Sequence, residues 1–254
     1  QVMAKKDLTL FTMDIDNVGD SLNAVIMDWL GIKFKGYTNQ RLAKDKFVAC
    51  GSLMTTVRKG DVVWGTGIMR PDGNYQKANG AKFLAVRGKN TRKLLMDKGV
   101  KNVPEVYGDP ALLLPLIYDP NWDFGNGPVK VAYMPHYIEQ DDFWKQHGKL
   151  KDGEKFIDAK TKNWKSVVRQ IKQADKLVTS SLHGIIIADA YGVPVEWTGY
   201  SEGKIVGDKW KFLDYFTITG RHLRKNYGEL PPLSREKLKE LQDGLISAIK
   251  EWDV

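Results

Sequence analysis

An α/β fold is predicted for this chain, arranged as two Rossmann-like domains that face each other across a cleft. Three observations lead there. Short apolar runs alternate with helical runs from Leu8 to Trp197, the pattern of parallel strands joined by crossover helices. The alternation stops and restarts at Asp119 to Pro128, where Gly125-Asn126-Gly127-Pro128 punctuates the chain. A length of 254 residues suffices for one large core or two small ones. The expected units are an N-terminal α/β domain over 1–125, a C-terminal α/β domain over 129–233 and a closing helix over 234–254.

Taken in order, Leu8 to Thr12 reads as the first strand, Asp14 to Asp20 as a loop, and Ser21 to Leu30 as a helix that Gly31 ends. Phe47 to Cys50, Val62 to Trp64 and Lys82 to Val86 are the next strands, the last followed by a helix over Thr91 to Lys98. Glu105 to Tyr107 is expected as a fifth strand, and Asp109-Pro110-Ala111 opens a helical turn with proline at its start. The second unit begins with the strand Val129 to Met134. It continues with a strand at Lys155 to Asp158, a helix over Asn163 to Asp175 and a strand at Lys176 to Thr179. Leu182 to Tyr191 is apolar all round and reads as a buried helix closed by Gly192 and Pro194. Pro194 to Trp197 is one more strand, and Ser234 caps a periodic helix that runs to Trp252.

Composition narrows the class. With 42% hydrophobic and 28% charged residues, and no apolar run near the ~20 residues that a membrane span needs, a globular protein is expected. Residues 1–6 carry no apolar leader, so no secretory signal is expected. A single cysteine, Cys50, excludes an intramolecular disulfide framework and a cysteine-built zinc site, and it fits a reducing cytoplasm. The net charge of +8 favours anionic partners, which include phosphorylated metabolites and an anionic membrane surface. The basic residues are dispersed, with clusters only at Arg87 to Lys93 and Arg221 to Lys225. No basic helix interleaved with aromatics is present, which argues against nucleic acid as a partner.

The chemistry concentrates at Val178-Thr179-Ser180-Ser181-Leu182-His183-Gly184. A strand ends there, the serines supply capping hydroxyls, and His183 falls in the first turn of the following helix. Free backbone N–H groups and the helix dipole make that turn an anion site, so the histidine is placed to act on a phosphate or carboxylate. Its plain alternative is a cap or core histidine, because Ile185, Ile186 and Ile187 bury the helix. His136 follows the strand Val129 to Met134. With no second histidine at ligand spacing it reads as a substrate contact, and no metal is expected. Asn17-Val18-Gly19-Asp20 at the first strand-to-helix turn is either an ordinary N-cap or a ligand cradle. Gly65-Thr66-Gly67 lacks the third glycine of a dinucleotide fingerprint and the lysine of a P-loop, so no such cofactor is expected. Arg87, the first charge after its strand, reads either as an anion-binding fork or as a solvated loop cation.

Together these segments resemble the polysaccharide pyruvyl transferase family. The resemblance is carried by Asn17-Val18-Gly19-Asp20, Gly65-Thr66-Gly67, Val86-Arg87-Gly88, Gly108-Asp109-Pro110-Ala111, Pro135-His136-Tyr137, and Ser181-Leu182-His183-Gly184 with Gly192-Val193-Pro194. Lys209 to Phe216 is similar to a segment of the bacterial exopolysaccharide and capsule branch. The resemblance implies a glycosyltransferase-B type of fold. It implies transfer of the pyruvyl group of phosphoenolpyruvate to a sugar of a surface-polysaccharide precursor, with a pyruvate ketal and free phosphate as products. His183 would be the general acid, and Asn17, Asp20, Gly67, Arg87, His136, Ser180, Ser181, Leu182 and Gly184 would contact substrate. It implies no cofactor beyond phosphoenolpyruvate as co-substrate. The acceptor would be a sugar, often lipid-diphosphate-linked, met at the inner face of the membrane.

One departure stands out. Many members carry arginine immediately before the leucine, where this chain has Ser181, so the missing charge is expected from Arg87 or from a basic residue such as Lys209 or Arg221. Two other readings remain at this stage: a nucleotide-sugar-dependent glycosyltransferase of the same architecture, and a binding module without catalysis.

Overall fold

Side chains alternate along the first strands and sort onto the two faces of one sheet. In the computed structural model, which describes residues 6–13, 16–120, 129–222 and 225–252, β1 (Lys6–Phe11), β2 (Phe34–Thr38), β3 (Lys46–Val48), β4 (Val62–Trp64) and β5 (Lys82–Ala85) form a parallel sheet in the order β2-β1-β3-β4-β5. Leu10, Phe47 and Trp64 point to one face and join the main core, while Phe11, Val48 and Val63 point to the other and pack with Tyr75, Leu95 and Val100 in a smaller one. The second sheet holds β6 (Val129–Met134), β7 (Glu154–Phe156), β8 (Ala174–Thr179), β9 (Val195–Trp197) and β10 (Gly228–Glu229) in the order β10-β9-β8-β6-β7. Only β10 is antiparallel to its neighbour.

The helices are α1 (Val18–Trp29), α2 (Lys89–Asp97), α3 (Leu114–Ile117), α4 (Gln140–His147), α5 (Trp164–Lys172), α6 (Leu182–Tyr191), α7 (Trp210–Phe216) and α8 (Arg235–Trp252). Asn17 caps α1 by accepting from Gly19 N at 3.2 Å, and Asn163 caps α5 by accepting from Ser166 N at 3.2 Å. Helix α5 buries Trp164, Val167, Val168 and Ile171, the spacing of one helical face. Helix α6 has no polar face and is buried on all sides, from Leu182 through Ala190 except His183. It packs against β8, β9 and the turn Pro110–Leu113, so that turn and α6 connect the apolar layers of the two sheets. One continuous core results, running from Leu10 and Trp64 through Ala111 to Leu114 and Ile185 to Ala188 as far as Leu177 and Trp197. Helix α8 returns to the first sheet: Trp64 Nε1 donates to Leu245 O at 3.0 Å, and Gln242 Nε2 donates to Leu112 O at 2.8 Å.

In each sheet the first strand of the unit lies inside, β1 between β2 and β3 and β6 between β7 and β8. Chain connections therefore leave in opposite directions at β1/β3 and at β6/β8. Such switch points open a crevice at the strands' carboxyl ends, where α/β proteins bind ligands.

Several elements differ from expectation. Glu105 to Tyr107 is no strand and makes a single parallel bridge, Val86 to Tyr107. Pro104 removes a backbone donor just before it, and Gly108 turns away at φ 134° just after. Strand β2 was not anticipated, since Lys35 and Gly36 interrupt its apolar run and its side chains are at most partly buried. Helices α4 and α7 and strand β10 were also missed. The expected boundary at Asp119 to Pro128 falls mostly on residues 121–128, outside the described residues, as do Asp14, Ile15, Leu223 and Arg224.

Candidate active site

A cavity of about 590 Å³ lies where the two switch points meet. Its walls come from four strand-end segments: Met13, Asn17 and Asp20 after β1, Gly51 to Leu53 after β3, His136 and Tyr137 after β6, and Ser181 to His183 after β8. The volume is within the usual range for small-molecule sites. Arg41 and Arg70 are exposed in the wall, and Lys211 of α7 enters from the second unit.

His183 is held from three directions. Ser181 caps α6, its Oγ accepting from Gly184 N at 3.4 Å, and Ser181 N donates to Thr179 Oγ1 at 3.0 Å. This places His183 in the first turn. Its ring lies against the first turn of α1, so closely that a Cβ on Gly19 would overlap the imidazole. Its Nε2 stands 3.7 Å from Asp109 Oδ2, an ion-pair distance rather than a hydrogen bond, and has no hydrogen-bond partner. Asp109 is fully buried, caps the turn Pro110–Leu113 by accepting from Ala111 N at 3.0 Å, and accepts from Gly51 N at 3.1 Å. Burial alone would raise the Asp109 carboxyl. The adjacent His183 and those two N–H groups outweigh burial and hold it below the ordinary value, as a carboxylate.

Asp20 is the second carboxyl here. Burial lifts its pKa to about 6, with the charge of Asp109 adding to the rise and His183 opposing it. His136 is pushed the other way: burial, together with Lys211 and His183, takes it down to about 3, so its ring is neutral at pH 7. His136 Nδ1 accepts from Ile138 N at 3.4 Å, which leaves Nε2 carrying the hydrogen as a donor.

The residues expected at the site divide into two sets. Asn17, Asp20, His136, Ser181, Leu182 and His183 line the cavity, while Gly67, Arg87, Ser180 and Gly184 lie behind it. Arg87 is fully buried and neither a solvated cation nor an open anion fork. It donates from Nε to Asp214 Oδ2 at 3.0 Å, from Nη1 to Ser52 Oγ at 2.5 Å and from Nη2 to Ile68 O at 2.6 Å. Gly67 serves that arrangement, since a Cβ there would meet the guanidinium. Ser180 Oγ accepts from His136 N at 2.9 Å and ties the loop after β6 to the loop after β8. Gly184 lets α6 approach Thr179. Arg221, another candidate for the missing charge, is committed to Asp189 by contacts of 2.7 and 2.8 Å, and Lys209 lies over the Tyr227 ring at 4.4 Å.

The buried cation at the cavity is instead Lys211, which sequence reasoning passed over in favour of Lys209. The available signal was the spacing Trp210, Leu213 and Phe216 with Lys211 between them. In a helix of seven residues, too short to establish a periodicity, it could not be read as buried.

This fold and site define an α/β protein whose ligand cavity, with a histidine, two carboxylates and a buried lysine around it, occupies the switch points of two sheets. Residues 17–202 match the polysaccharide pyruvyl transferase family, and the chain belongs to it. An uncharacterized protein of Acanthamoeba polyphaga mimivirus is 31% identical over 179 residues, 68% of this chain. The chain spans 60% of the length of that curated relative. A functionally uncharacterized protein from Klebsiella pneumoniae, known from a crystal structure, is similar with a TM-score of 0.43 and 12% identity over 82% of this chain and 90% of its own. Among the described residues no helix is long and apolar enough to cross a membrane, and no cluster of three metal-ligating side chains occurs.

Proposed function

We propose that the protein transfers the pyruvyl group of phosphoenolpyruvate to a sugar of a surface-polysaccharide precursor, forming a pyruvate ketal. The observation that carries this reading is His183. It sits at the cavity inside the family-matched segment, with a buried carboxylate 3.7 Å from one ring nitrogen. A carboxylate facing Nε2 orients the ring, and Nδ1 is the nitrogen left to carry a proton to substrate.

The proton goes to the terminal methylene of phosphoenolpyruvate, making C2 electrophilic. A sugar hydroxyl adds to C2 and loses its own proton. The C–O bond to phosphate breaks, and a second hydroxyl of the same sugar closes the ketal. The methylene has gained one hydrogen and become a methyl, and the other leaves with phosphate. Proton transfer of this kind is worth roughly 10²- to 10⁴-fold. In this reading Asp20, which lines both this cavity and a second of about 530 Å³ with Tyr37, Thr38, Asn39 and Gln40, accepts the hydroxyl proton. The same reading takes the two sheets as Rossmann-like domains of the glycosyltransferase-B type. It assigns the chain to the exopolysaccharide and capsule branch, working in the cytoplasm on a lipid-diphosphate-linked acceptor at the inner membrane face.

The test is mass spectrometry of candidate galactose- and mannose-bearing acceptors incubated with phosphoenolpyruvate. A ketal adduct with release of phosphate, lost in His183→Ala with the fold retained, is expected. Thermal stabilisation by UDP- or GDP-sugars but not by phosphoenolpyruvate overturns the reading in favour of glycosyl transfer.

A further inference from the structure

Lys211 is the one cavity-lining cation that is buried, at 7% exposure, and among the described residues no carboxylate lies within ion-pair distance of it. The other buried cations are matched: Arg87 with Asp214, Lys46 with Asp61, Arg221 with Asp189. The Lys211 ammonium lies over the face of the neighbouring Phe212 ring, 5.4 Å from its centroid. Burying a charged amine without a counter-ion is among the more destabilising things a core can do. The acid with an influence on it, Glu139, makes no ion pair with it: Glu139 Oε1 accepts from Tyr200 N, Ser201 N and Ser201 Oγ at 3.2, 2.9 and 2.8 Å, and its buried Oε2 has no hydrogen-bond partner among the described residues.

We propose that Lys211 is the anion anchor of the donor site, forming the ion pair with an oxyanion of the bound donor, its carboxylate or its phosphate, in place of a cation at Ser181. This rests on the pyruvyl-transfer reading for the identity of the donor, though not for the anion. His136 and His183 line the same cavity, so an anion held at Lys211 shares it with the neutral donor His136 and the acid. Desolvation makes the ammonium bind such an anion more strongly than the exposed Arg41 or Arg70 would. Burial, with Arg87 adding to it and Glu139 opposing, holds Lys211 down at a pKa of about 8, so most of it is charged and ready at pH 7.

The experiment is calorimetric binding of phosphoenolpyruvate, inorganic phosphate and pyruvate to the full chain and to Lys211→Met and Lys211→Gln, with melting temperatures for each. Expected is a roughly 10- to 100-fold loss of phosphoenolpyruvate affinity in both variants. A melting temperature of Lys211→Met at or above that of the parent is expected with it, because an unmatched charge is gone. Lys209→Met, outside the cavity, should bind as the parent does. Loss of phosphate but not pyruvate binding assigns the phosphate, and the converse the carboxylate. If the parent binds phosphate or pyruvate through Lys211 but not phosphoenolpyruvate, the donor reading fails and the anchor stands. Unchanged affinity in both variants, a lowered melting temperature showing a structural role, or no binding of any of the three anions by the parent overturns the inference.

Discussion

Arg87 and Asp214, 127 residues apart, form a fully buried ion pair that joins the end of β5 to α7. Thr91 holds both oxygens of Asp214 as well: Oδ1 accepts from Thr91 N and Oδ2 from Thr91 Oγ1, both at 2.7 Å. The pair bolts α7, and with it Lys211, to the first unit, so an arginine that motif reading assigns to ligand works here on the protein itself. Asp214→Ala strands a buried guanidinium and should destabilise the fold by about 3–5 kcal/mol in urea denaturation. A loss below about 1 kcal/mol would show that the pair is solvated and the geometry wrong.

Gly19 should be as sensitive as the histidine it admits. An alanine methyl at this position cannot coexist with the His183 ring as placed. Gly19→Ala is expected to lower kcat by roughly 10²-fold or more, with a circular dichroism spectrum close to the parent's. Full activity in the alanine variant would mean that the ring works from another position.

Asp109 acts through His183, and its substitution should show in rate rather than in affinity. Asp109→Asn keeps the shape and the acceptor for Ala111 N while removing the charge facing Nε2. A fall in kcat of about 10- to 100-fold, the equivalent of one charge-assisted contact, is expected with KM for phosphoenolpyruvate little changed. The folded-state pKa of Asp109 lies below its unfolded value, so its contribution to stability is present above the unfolded pKa and lost as pH falls through the folded one. Denaturation midpoints of Asp109→Asn should accordingly depend less on acid pH than those of the parent.

Asp20 sets the acid limb of activity if it accepts the acceptor's proton. With a pKa of about 6 it is a base only above that pH, so kcat/KM should fall below pH 6, and Asp20→Asn should be slow and flat there. The stability linkage has the opposite sign to that of Asp109. The folded state holds this proton more tightly than the unfolded chain, so stability falls as pH rises from about 4 to 6. A limb that survives in Asp20→Asn belongs to another group.

The sequence was legible where physics is local. The run Leu182 to Tyr191 is apolar on every side and could only be an interior helix, and Ser181 before it could only begin one. Both stand as read, to the residue. Edge strand β2 was illegible because its side chains need not be apolar, and α7 because seven residues do not establish a period. Asn17, Asp20, His136 and Ser181 to His183 line the cavity because each lies in the loop or first helical turn that follows a strand. The charge balance was not legible: whether Arg87 or Arg221 is free depends on Asp214 and Asp189, partners far away in the chain. Gly51 to Leu53 escaped notice for a similar reason, since only the order of strands shows that β3 flanks the switch point.

Helix α8 bears on how the chain is made. Trp64 of β4 has its indole N–H satisfied by Leu245 O, and Phe47 of β3 meets the Trp252 ring at 5.3 Å. Chains emerge from the ribosome from the N-terminus and usually fold unit by unit as they do. Here the first sheet, though translated early, lacks one wall until residues beyond 245 have left the exit tunnel. During that interval the apolar flank around Phe47 and Trp64 waits for α8 to cover it, so the first sheet gains its full protection only after α8 has been made.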